Sequence, residues 1–128
     1  MKSKIVDSNI FLRFLLRDVE HQYIKAKEFF NQIEKGMFVG EVSILVIDEV
    51  IWALGKYYHV ERKRFVPEVK KILSLRNIKI IESKKDLIFS ILDKLSKSKI
   101  DFTDFYLSEI SGGKKIFSFD KDFQKLYK

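Results

Sequence analysis

Four short apolar runs, each closed by polar punctuation and set apart by stretches with helical periodicity, constrain what this 128-residue chain can fold into. The runs are Lys2 to Val6, Met37 to Glu41, Ile78 to Glu82 and Lys115 to Phe119, bounded by Gly, Ser, Asn or Asp as short strands are. Helical patterns fill the intervals: Asn9 to Leu16, Glu20 to Glu34, Ser43 to Tyr57, Lys63 to Leu75, Lys85 to Leu95, Asp104 to Ser111 and Phe123 to Tyr127. Gly36 after "NQIEK" and Gly112-Gly113 after "YLSEIS" are helix stops. Pro67 lies deep in its helical stretch, where a missing N–H is costly, and predicts a break or a start near Val66. No repeat, low-complexity tract or Ser/Pro-rich linker divides the chain, so residues 1–128 read as one domain. Strands that alternate with helices pack as an α/β fold with a mostly parallel sheet covered on both faces.

Composition narrows the chemistry. No cysteine is present, which removes disulfides, thiolate metal sites and a cysteine nucleophile together. His21 and His59 lie in polar surroundings with no partners at the spacing of a zinc site or a Ser-His-Asp triad. Any chemistry therefore comes from carboxylates. Lys and Arg number 25 against 18 Asp and Glu, a net charge of +7 that favours a polyanionic partner such as nucleic acid. Arg13 and Arg17 in the first helix and "ERKRF" (61 to 65) with Lys70 and Lys71 carry part of that surplus, although solvated helix faces explain such clusters equally well. The longest apolar stretch, Val42 to Leu54, is interrupted by Ser43, Asp48 and Glu49, so no membrane span is expected. "MKSKIVDSN" has no apolar leader, and the expected location is cytoplasmic.

The acids fall at particular addresses. In "KIVDSNIFLRFLLRD", Asp7 follows the first strand at its carboxyl end, and in "KIFSFDKDF" Asp120 follows the last one. Open parallel sheets bind ligands at that end of their strands. Asp104, in "KIDFTDFYLSEI", opens a helix with Asp101 or Thr103 as its cap, and Glu49 lies inside "SILVIDEVIWALGKYY" with Leu45, Val46, Trp52 and Ala53 one turn away on either side. Asp48 points about 100° round the helix from Glu49 and cannot share its face, which favours Glu49.

Each acid has a plain structural explanation: Asp7 and Asp104 as helix caps, Asp120 as the start of the last helix, Glu49 at the edge of an apolar stripe. Those explanations leave the coincidence of all four in one small basic domain unaccounted for. If the four converge, their mutual repulsion calls for a cation, and an oxygen-only donor set suits Mg²⁺ or Mn²⁺. Two such ions roughly 3.5 to 4 Å apart activate water and stabilise the leaving oxygen in phosphodiester cleavage.

"VDSNIFLRFLLRD", "ILVIDEVIWAL", "IDFTDFYLSE" and "IFSFDKDFQKL", in that order across essentially the whole chain, resemble the PIN-domain family, and within it the VapC-type ribonucleases of toxin-antitoxin pairs. The resemblance implies a three-layer α/β/α sandwich around a central parallel sheet, and Mg²⁺- or Mn²⁺-dependent endoribonuclease activity on RNA. It matches Asp7, Glu49, Asp104 and Asp120 to the family's catalytic, metal-binding acids, and Asn9 and Ser118 to polar positions that support them. Ser8 stands where the family usually has Thr. Asp101 and Asp122 lie close to matched acids as supporting candidates, and Arg13 and Arg17 match a basic stretch suited to RNA or partner contacts. The resemblance also implies a homodimer and a small VapB-type antitoxin that covers the site, with Phe29, Phe30, Tyr57 and Tyr58 as candidate contact rings where the core does not take them. Alternatives are an RNA-processing nuclease of the same fold without an antitoxin, and a non-catalytic domain that only binds RNA or a partner. A receiver-like phosphoacceptor domain fits less well, because Ser8 and Asn9 flank Asp7 and "SFD" (118 to 120) stands where a Lys is required.

Overall fold

A computed structural model describes residues 1–121 and residue 123. Its elements run β1 (Ser3–Ile5), α1 (Ser8–Leu16), α2 (Glu20–Glu34), β2 (Val39–Val42), α3 (Ile44–Trp52) with a π-helical extension (Ala53–Tyr57), α4 (Arg62–Leu73), β3 (Ile78–Ile80), α5 (Lys85–Leu95) and α6 (Phe102–Ile110). The strands form a parallel sheet in the order β1-β2-β3, with Lys4 opposite Gly40 and Gly40 opposite Ile78. Parallel neighbours need crossovers, and the helices between them supply these, giving the α/β sandwich expected of the alternating pattern.

Apolar side chains at helical spacing create the core. In α5, Ile88, Ile91, Leu92 and Leu95 are all fully buried, the i, i+3, i+4, i+7 set of one face. Phe11 and Leu12 of α1 meet Phe30 and Ile33 of α2 and Ile47, Val50 and Ile51 of α3 in the same cluster. At the centre of the sheet the backbone itself must come close. A Cβ on Gly40 would stand 2.7 Å from Ile33 Cδ1 and 2.9 Å from Ile78 Cδ1, so a side chain there would force the ends of both isoleucines to move.

Helix ends depart from the sequence expectations in instructive ways. α4 continues through Pro67 without a break, because Phe65, Val66, Val69, Ile72 and Leu73 bury its apolar face and offset the lost hydrogen bond. α3 is capped twice: Ser43 accepts from Leu45 N–H at 3.1 Å, and Glu82, just past β3, accepts from Ile44 N–H at 2.8 Å. After Trp52 the helix widens, with Tyr58 N–H donating to Ala53 C=O at 2.9 Å, and it ends at His59 in the left-handed region (φ 57°).

The expected fourth strand is not formed. Residues 115–119 carry no strand, and Phe117 and Phe119 are 90% and 96% exposed, packed edge-on against each other. Among the described residues β1 is consequently an edge: Val39 N–H donates to Lys2 C=O and Val6 N–H donates to Glu41 C=O on one side, while Ile5 is 74% exposed. The last expected helix, beyond Phe123, lies outside the described residues, as does Asp122. No described helix is long and apolar enough to cross a membrane.

Candidate active site

The carboxyl end of β1 leads directly into α1. Asp7 takes the N-cap position with extended backbone, yet its side chain makes no capping hydrogen bond, so capping does not account for this acid. The next residue, Ser8, is 3% exposed and is the one buried polar side chain among the described residues. A buried hydroxyl needs a partner, and Ser8 Oγ donates to Oε1 of Glu49 at 3.1 Å. That bond joins the strand-end turn to α3. Glu49 itself is exposed, not buried among the apolar neighbours flanking it in the chain, because the α3 face that carries it lines an open cleft.

The cleft has a volume of about 540 Å³ and runs between α3 with its π-helical extension, the start of α4, and the segment leading into α6. Glu49 and Asp104 both line it, from two helices that pack on each other. Asp101 lines it as well, at the N-cap of α6 and again without a side-chain cap bond. Asp48, expected to face elsewhere, opens onto the same space. A rotation of about 100° puts two side chains on adjoining flanks, and this cleft is broad enough to take both flanks. Burial pushes the Asp48 carboxyl above its ordinary value, the Thr103 hydroxyl at 3.4 Å pulls it back, and the charge of Asp101 adds to the rise.

Arg62 holds this wall in place. Its Nη1 donates to the carbonyls of Ser98 and Ile100, both at 2.7 Å, and its Nη2 lies 3.8 Å from Asp101. One guanidinium thus ties α4 to the loop that presents Asp101 and Asp104. "ERKRF" therefore divides: Arg62 is a structural clamp with half-buried atoms, whereas Lys63 and Arg64 are exposed. The clamp had no sequence signal beyond its charge, since its partners are carbonyls 36 and 38 residues away.

Other expected site residues sit apart from the cleft. Asp120 and Ser118 are exposed and do not line it; Asp120 N–H donates to Ser118 Oγ at 2.9 Å, a local turn in a segment that has not joined the sheet. Asn9 lines a second hollow with Arg13, Gln22, Lys25 and Tyr58. Arg13 is engaged there, bonded through Nη2 to the Tyr58 hydroxyl at 2.9 Å and paired with Asp18 at 3.1 Å. Arg17 is exposed and lies over the Tyr23 ring. Of the candidate contact rings, Phe30 is buried, Phe29 and Tyr58 are half-buried, and Tyr57 is exposed.

The cleft's carboxylates are hard oxygen donors with no soft ligand among them, a donor chemistry that fits a divalent ion such as Mg²⁺ or Mn²⁺. Among the described residues, no three His, Asp or Glu side chains already stand at metal-binding spacing. No curated protein and no solved structure matches the chain. The family comparison does: the PIN domain matches residues 4–128, from the first strand through every acid considered above. Proteins with this domain are typically nucleases that use divalent metals, and the parallel sheet flanked by helices is consistent with its fold. The chain belongs to the PIN-domain family.

Proposed function

We propose that this PIN domain is a Mg²⁺- or Mn²⁺-dependent endoribonuclease, the toxin of a VapBC-type toxin-antitoxin pair. The observation that supports the reading best is the meeting of Glu49 and Asp104 at one cleft, with Ser8 linking Glu49 to the turn that carries Asp7. In this reading Asp7, Glu49, Asp104 and Asp120 hold the ion. The bound ion supplies a Lewis acid for the scissile phosphate and a low-pKa water. The chain's own groups do the rest. Ser8 orients Glu49, Arg62 fixes the loop of Asp101 and Asp104, and exposed lysines draw in the phosphate backbone of RNA.

The toxin reading brings a homodimer and a VapB-type antitoxin with it. A guanidinium or ammonium from such a partner can replace a metal among carboxylates, which is how occupation of the cleft would silence it.

Purified wild type and Asp7→Asn are incubated with mixed-sequence single-stranded RNA in Mg²⁺, in Mn²⁺ and in EDTA, and chain length is followed. Cleavage that needs metal and disappears in the variant is the expected result. Equal cleavage by both proteins removes the nuclease reading, and cleavage that persists in EDTA removes its metal dependence. Co-purification with a small partner that abolishes cleavage distinguishes the toxin from an RNA-processing enzyme of the same fold.

A further inference from the structure

The chain has a single tryptophan, and the fold leaves it in solvent. Trp52 closes α3 at 59% exposure and lines the cleft that holds Glu49 and Asp104. An indole is among the largest apolar groups a core can bury, and on this cleft wall, beside the exposed Leu45, it offers a flat apolar face to whatever enters. Trp52 lies three residues beyond Glu49, hence on the same side of the helix and about 4.5 Å further along its axis. Cations accompany it: Lys56 in the π-helical extension and Lys99 on the loop opposite both line the cleft and are exposed. An aromatic plane, carboxylates beside it and ammonium groups at the rim together describe a site for one nucleotide: base on the ring, backbone on the lysines, scissile linkage toward the acids.

We infer that Trp52 is a stacking platform for an unpaired nucleobase next to the cleaved phosphodiester. The inference rests on the nuclease reading and adds a residue that determines substrate form. A base inside a duplex has both faces occupied by its neighbours, whereas an unpaired base offers one to the indole. Stacking on one ring tolerates any base, so Trp52 selects for strandedness and leaves base identity to other groups.

Because no other tryptophan contributes, the emission of the intact protein reports this site alone. Wild type in EDTA, and Asp7→Asn in Mg²⁺, are titrated with a 5′-labelled 12-nucleotide single-stranded RNA and with its duplex, reading RNA anisotropy and indole emission together. Single-stranded RNA is expected to quench the indole and the duplex to leave it unchanged. Trp52→Ala should weaken single-strand binding roughly 5- to 150-fold, as loss of one stacked base does, while Trp52→Phe binds within about 3-fold of wild type. Single-stranded RNA that binds without moving the emission, with Trp52→Ala binding as wild type does, overturns the inference while the nuclease reading stands. RNA that is neither bound nor cut removes both. Emission that shifts with protein concentration alone assigns Trp52 to a contact between copies of the chain and also overturns it.

Discussion

Ser8 Oγ and Glu49 Oε1, forty-one residues apart in the chain, lie 3.1 Å from each other, and through them the end of the first strand and the middle of α3 act as one unit. Ser8 is buried, and the Glu49 carboxyl gives its hydroxyl the partner that burial demands. The bond also fixes which way a flexible glutamate points.

Removing that donor tests its positioning role. Ser8→Ala is expected to raise the metal concentration for half-maximal RNA cleavage by about 10- to 100-fold, the usual effect of losing a group that orients a metal-binding carboxylate. Ser8→Thr keeps the hydroxyl and should stay near wild type. An unchanged metal requirement in Ser8→Ala would show that Glu49 is oriented by other means.

Asp48 predicts a pH signature. Burial raises its pKa from the ordinary 3.8, so the folded state disfavours the charged form. The resulting penalty is absent below 3.8, where both states are protonated, grows as pH rises through the folded value, and stays constant above it. Asp48→Asn should therefore melt at a higher temperature than wild type at pH 7, with the difference vanishing as the pH falls below 3.8. Thermal unfolding across that range decides it, and a difference independent of pH would count against the assignment.

The Arg62 clamp makes a stability prediction with a functional consequence. Arg62→Ala strips two 2.7 Å bonds from the carbonyls of Ser98 and Ile100 and should cost roughly 2 kcal/mol in denaturant unfolding. Cleavage should fall as well, because the freed loop presents Asp101 and Asp104. Normal stability in this variant would mean that water replaces the guanidinium at no loss.

Gly40 tests the tightest point of the core. Gly40→Ala puts a methyl within 3 Å of side-chain atoms of Ile33 and Ile78, and overpacking of this kind costs about 1 to 3 kcal/mol. Pairing the change with Ile78→Val relieves one contact and should recover part of the loss, as measured by the unfolding midpoint.

Residue order by itself determined the local elements, because periodicity is a property of neighbours along the chain. α2 and α5 run over the ranges that their apolar spacing indicated, and three of the four apolar runs became strands of a parallel sheet. Glu49 and Asp104 were also legible as acids at unusual addresses, one in an apolar helix and one in a first turn. Only the tertiary structure could place Asp48 and Trp52 on the same cleft, give Arg62 to distant carbonyls and turn Ser8 toward Glu49, since each depends on how helices pack across 36 to 55 residues of chain. The run from Lys115 to Phe119 shows the same limit from the other side. Its short, bounded apolar run fits a strand, but a strand is held by the edge it pairs with, and such a run names no partner.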